Sequence, residues 1–167
     1  MTKLIQTLKN IWSIEELISK ILFTLLLILI YRIGAHIVLP GIDPAGLDLN
    51  AGQGGMLGMI DMFAGGAFSR ASIFALGIMP YISASIIMQL LGIAVPAIQK
   101  LQKEGESGRK KINQWTRFLT IGIAGFQAPG YIATTIPEYA RSENFSFAVT
   151  VLILISGTMF VMWLGEK

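Results

Sequence analysis

The chain has 167 residues, of which 53% are hydrophobic and only 14% charged, against about 25% charged in an ordinary soluble domain. Together with a mean hydropathy of +0.64, this excludes a disordered chain and points to lipid as the solvent. The absence of cysteine removes disulfides, thiolate metal sites and thiol catalysis, and a net charge of +3 is too small and scattered for a nucleic-acid footprint.

Residues 1–20 carry Leu4, Leu8, Ile11, Ile14, Leu17 and Ile18 at helical spacing among polar residues, the pattern of an amphipathic helix lying on a membrane surface. The run 21–39 follows. About 20 apolar residues cross the hydrocarbon layer, so it is the first predicted span. Its apolar run is too long for a cleavable leader, and no small-x-small site follows it. Within it, Arg32 is deep enough to need a partner or to snorkel outwards. His36, the only histidine, makes no metal site alone and reads as structural.

After a Gly-rich stretch, the segment 56–70 is apolar except for Asp61, Ser69 and Arg70, yet its apolar part is too short to cross. Such a half-length helix either lies flat or folds back into a protein-lined cavity, and the pattern fits both. The second predicted span, 73–92, has no charge. A loop over 93–117 carries Lys100, Lys103, Arg109, Lys110, Lys111 and Arg117, with Gly105 and Gly108 making it bendable. The third span, 118–136, is diluted by glycine, proline and threonine, whereas the fourth, 147–164, is strongly apolar. Basic residues gather before the first span and in the 93–117 loop, which puts both termini and that loop on the cytoplasmic side. Asn144 opens a glycosylation sequon of little weight.

On the second span, Ile78, Ile82, Ser85 and Gln89 fall on one helix face, apolar at mid-span and polar towards the inner end. A helix–helix contact and a pore lining both satisfy this pattern. A narrow aliphatic ring would dewet and so resist ions. Gly77 and Pro80 weaken the helix just there. On the third span, Thr120, Gln127 and Thr134 form a polar stripe, read either as interhelical hydrogen bonding or as a seam that opens. The basic loop serves topology, and its charges would equally suit phosphates of RNA or of lipid headgroups. No catalytic motif or pair of carboxylates lies within the spans, so no enzyme is predicted.

The run 69–87 (SRASIFALGIMPYISASII) closely resembles the plug-to-second-helix region of the SecY family, the central subunit of the bacterial protein-conducting channel. Residues 31–34 and 40–43, then 104–109 (EGESGR) and 157–166 (GTMFVMWLGE), resemble the same family. The resemblance implies an all-α membrane protein: four transmembrane helices plus a re-entrant plug half-helix, the incomplete first half of a ten-helix inverted-repeat channel. Ile78 and Ile82 match its pore ring, with Ser85 and Gln89 lining the pore. The plug would include Met59, Ile60, Met62 and Phe63. Ser83 and Gln127 match its lateral gate.

The basic residues Arg109, Lys110 and Lys111 would meet a cytoplasmic partner. The partners implied are SecE and SecG, the SecA motor or the ribosome, signal sequences and unfolded polypeptides, membrane lipids and the remainder of the SecY chain. No cofactor is implied, and the location is the bacterial cytoplasmic membrane with the N-terminus inside. Because the chain stops after the fourth span, it reads as an N-terminal part. A secondary transporter with a re-entrant helix, and a membrane scaffold, are the alternatives.

Overall fold

The computed structural model describes residues 15–47, 55–143 and 145–167. The surface helix expected over residues 1–20 lies almost wholly outside these, as does Asn144. The chain forms two units, residues 1–33 and residues 34–167. The first contains α1 (Glu15–Gly34) up to its last residue. Its side chains are broadly exposed, Leu22, Leu25, Leu26, Ile28 and Leu29 among them. A helix that is apolar all round is suited to lipid or to other membrane helices. Lys20 pairs with Glu16 at its start, and Arg32 stands exposed in its last turn.

The second unit contains α2 (Gly55–Phe63), α3 (Met79–Ala94), α4 (Pro96–Lys103), α5 (Glu106–Thr135) and α6 (Phe147–Gly165). Short 3-10 turns lie at Pro44–Gly46 and Glu138–Ala140. By length and composition, Glu16–Gly34 and Phe147–Gly165 can each cross a membrane, and α3 with α4 becomes a third only if their 101° bend lies within one span.

Helix boundaries differ from the sequence expectation at four places, each for a local reason. The first helix ends at Gly34 rather than at residue 39, because Leu39 N–H turns aside to donate to the Ala71 carbonyl (2.9 Å). The plug segment 56–70 is helical only to Phe63; Gly65 and Gly66 take positive φ and unwind the rest. The predicted span 73–92 is not one helix: residues 73–78 are turns and α3 starts at Met79, after Gly77 at φ +53°. Proline in the first turn of α3 costs no helical hydrogen bond. Most of the 93–117 loop is a helical hairpin, in which α4 and the first turns of α5 are joined through Glu104 and Gly105.

α3 packs on α5, and α5 on α6, with the α4–α5 hairpin closing one end. The other end is an interlock of three irregular segments. Residues 37–39 pair with 71–73, and residues 41–43 pair with 140–142 through Asp43 N–H to the Ala140 carbonyl (2.9 Å) and Ser142 N–H to the Gly41 carbonyl (3.0 Å). Beneath these lies the core, in which Leu39, Ile132, Ile136 and Leu154 are fully buried. Arg141 closes it: its Nη2 donates to the carbonyls of Ile136 (2.8 Å) and Ile132 (3.3 Å), and its guanidinium lies over the Phe145 ring. A cation just past a helix end satisfies its orphan carbonyls and complements its dipole.

Candidate functional site

The candidate site is built on residues 55–94. α2 exposes Met59, Met62 (84%) and Phe63 (82%), with Ile60 half-buried. A short helix with a bare apolar face needs either a partner or a way of being held, and the held part is its C-terminal side. Asp61, the one acid in this apolar stretch, accepts hydrogen bonds from Ser69 N–H (3.0 Å) and from Ser69 Oγ (2.7 Å), closing the turn that follows the helix. Arg70 Nη1 lies 2.9 Å from His36 Nε2. A guanidinium only donates, so this imidazole nitrogen accepts, and the lone histidine has a structural partner.

Tyr131 on α5 secures the same turn. Its hydroxyl donates to the Phe68 carbonyl (2.6 Å), and its ring meets Phe68 edge-on at 4.9 Å. Tyr131→Phe removes only the hydroxyl and leaves that carbonyl short of a donor. The expected loss is about 1 kcal/mol, read as a lower thermal unfolding midpoint of a full-length protein carrying this sequence. Ala71, fully buried, is held at φ +46°. A residue with a side chain keeps that conformation only where its surroundings fix it. Here Ala71 N–H donates to the Phe68 carbonyl (3.3 Å), and the Ala71 carbonyl accepts from Leu39.

Ile78 caps α3, and one turn later Ile82 N–H donates back to the Ile78 carbonyl (3.0 Å). α3 buries Pro80, Ala84, Met88 and Gly92. Ile78 (39%) and Ile82 (43%) remain exposed, as do Gln89 and Ile93. Gln89 Nε2 donates to Ser85 Oγ at 3.4 Å. Among the described residues, three of the four singled out in the sequence, Ile78, Ile82 and Gln89, are thus exposed, and Ser85 is half-buried.

Ile78 Cδ1 lies 3.9 Å from where a Cβ on Gly165 would stand, so it is beside the last turn of α6. Ser83 and Gln127 are both half-buried, on helices that pack together, and no hydrogen bond joins them.

The threonine stripe does not bridge helices. Thr120 Oγ1 donates to the Thr116 carbonyl (2.7 Å) and Thr134 Oγ1 to the Gly130 carbonyl (2.8 Å), each within α5. Hydroxyls commonly bond back in this way when no better acceptor faces them. At the hairpin end Lys100, Lys103, Arg109, Lys110 and Lys111 are exposed, and Lys110 pairs with Glu106 at 3.3 Å. Arg117 forks onto Glu166, tying α5 to the end of α6. Arg70, Arg117 and Arg141 thus serve as ties. For Arg141 a signal was present: a basic residue shortly past a predicted helix end.

The SecY family model matches residues 72–167. Among curated relatives, the protein translocase subunit SecY of Escherichia coli (strain K12) is 49% identical over 164 residues, covering 93% of this chain and 37% of the relative. The subunit of the same name from Buchnera aphidicola subsp. Acyrthosiphon pisum is 47% identical over 163 residues, covering 92% of this chain and 37% of its own. That of Aquifex aeolicus is 43% identical over 171 residues, covering 96% and 40% respectively. The chain therefore spans a little over a third of the length of these relatives. α3 with Ile78 and Ile82 lies within the matched stretch, and the chain belongs to the SecY family.

Proposed function

We propose that this chain is the N-terminal part of a protein-conducting channel that passes unfolded polypeptides across the cytoplasmic membrane and releases hydrophobic segments into it. The observation that carries this reading is the uncovered face of α3, with Ile78 and Ile82 at its start and the Ser85–Gln89 pair further along. In the proposed channel the two isoleucines contribute to an apolar constriction that dewets when empty. α2, with Met59, Ile60, Met62 and Phe63, is the plug on one side of it, held through Asp61–Ser69 and Tyr131–Phe68. Ser85 and Gln89 line the other mouth. Ser83 and Gln127 stand at the seam through which segments leave for lipid.

α5 supplies a further crossing; its dilution with small and hydroxylated residues suits a helix inside a bundle rather than one bathed in lipid. The excess of lysine and arginine in the α4–α5 hairpin assigns that end to the cytoplasm. There Arg109, Lys110 and Lys111 are available to an acidic partner surface, SecA or the ribosome. SecE, SecG and the rest of the SecY chain complete the channel. The chain does no chemistry; the partner supplies the free energy.

The test is ion leak. Replacing Ile78 and Ile82 together with glycine in the full-length protein, reconstituted with its partner subunits, should raise resting ion conductance at least severalfold and relax the requirement for an intact signal sequence. Unchanged conductance and selectivity would remove the constriction. Saturable uptake of a small solute would instead favour a transporter.

A further inference from the structure

The stretch between the plug and α3 is laid along α6. Gly157 stands opposite Ile73 and Gly165 opposite Ile78. A Cβ on Gly157 would fall 2.1 Å from the Ile73 carbonyl oxygen and 3.3 Å from Phe74 Cδ1, so backbone meets backbone there. The Phe74 ring, only 5% exposed, is gripped on two further sides. On one it lies over Gly34, where a Cβ would come within 2.0 Å of Cε2. On the other it stacks on Phe160, with centroids 5.7 Å apart and planes inclined by 12°.

The backbone is held as well. Ile73 N–H donates to the Ile37 carbonyl (3.0 Å), and Phe74 N–H to Ser72 Oγ (3.2 Å). From Phe74 to Ile78 the chain has little slack. Gly77 N–H donates to the Phe74 carbonyl (2.8 Å), and Met79 N–H to the Leu76 carbonyl (3.3 Å). A displacement of Phe74 is thus passed through two short turns to the first residue of the uncovered face. Beside the ring, residues 73–74 and α6 line an open apolar groove of about 460 Å³.

We propose that Phe74 is a positioning residue for the channel: docked between Gly34 and Phe160, it fixes where Ile78 stands when the passage is closed. This rests on the reading of Ile78 and Ile82 as a constriction, and the closing experiment separates the two. The measurements are resting conductance and the rate at which a membrane-impermeant thiol reagent labels Ile78→Cys, both on the full-length protein with its partner subunits.

Phe74→Ala, which empties the slot, should raise conductance severalfold and speed labelling by about tenfold, while Phe74→Tyr, which keeps the ring, should stay near the parent. A merely structural phenylalanine would lower the thermal midpoint without changing labelling in the folded protein, and that outcome overturns the proposal. If Phe74→Ala fails to accumulate, Phe160→Ala removes the stacking partner and must speed labelling in the same direction; no acceleration refutes the inference. Should the Ile78/Ile82 double glycine leak while neither aromatic variant does, the constriction stands and the positioning role falls. If the double glycine does not leak, the functional reading itself is lost.

Discussion

Gly108→Ala is expected to unlock the basic hairpin. A Cβ at this position would stand 1.7 Å from the Leu101 carbonyl oxygen and 2.7 Å from its carbon, with Glu104 Cβ a further 3.2 Å neighbour. The obstruction is main chain, so no side chain can rotate out of the way. The first turn of α5 must therefore lift off α4, and Ile98, buried there, loses its cover. Overpacking costs about 1–3 kcal/mol, and a backbone obstacle this close belongs at the upper end. Trypsin gives the measurement. Lys103 and Arg109 bracket the hairpin turn, and their cleavage in the folded full-length protein should accelerate about tenfold or more. A digestion rate equal to that of the parent would mean that the two helices are not in contact.

The second large effect is expected at Gly157. Alanine there would place a carbon 2.1 Å from the Ile73 carbonyl oxygen and 3.1 Å from its carbon. Residues 73–78 would have to move away from α6. Unlike the hairpin, this site sits beside the core that holds Leu39, Ala71, Ala75 and Leu154, so the movement also disturbs buried contacts. A loss of about 2–4 kcal/mol follows from overpacking combined with partial unpacking. A thermal midpoint lowered by several degrees in detergent is the expected reading, and Gly122→Ala serves as the comparison because a Cβ at Gly122 meets nothing within 4 Å. Equal midpoints for the two variants would refute the close approach.

Much of this architecture was legible from composition and period. The fourth predicted span, 147–164, coincides with α6 almost residue for residue, because an unbroken apolar run leaves the backbone only a helix in which to satisfy itself. Of the residues predicted to share one face, Ile82, Ser85 and Gln89 lie on α3 and Ile78 caps it, with Ile78, Ile82 and Gln89 exposed and Ser85 half-buried. The break before Met79 was foreshadowed only by Gly77 and Pro80. Ahead of it Ala71 adopts a left-handed conformation with its carbonyl accepting from the distant Leu39 N–H, and no local propensity announces that.

The hairpin was missed because charge and glycine dominate residues 100–117, and both are ordinary loop signals. α4 packs on both α3 and α5 and buries Ile98, a tertiary support invisible in a window of eight residues. The Arg70–His36 and Arg117–Glu166 ties join residues 34 and 49 positions apart, beyond the reach of pattern reading.

The self-satisfied hydroxyls have a mechanical consequence. Thr116, Thr120, Thr134, Thr150, Ser156 and Thr158 each bond a carbonyl four residues back in their own helix. They therefore present neighbouring helices with smooth, greasy flanks, and the firm fastenings sit at the two extremities, in the Arg117–Glu166 fork and the three-segment interlock. Among the described residues no side-chain hydrogen bond joins α3, α5 and α6 along their shafts, so the contacts there are those of apolar packing, which acyl chains can replace at little cost.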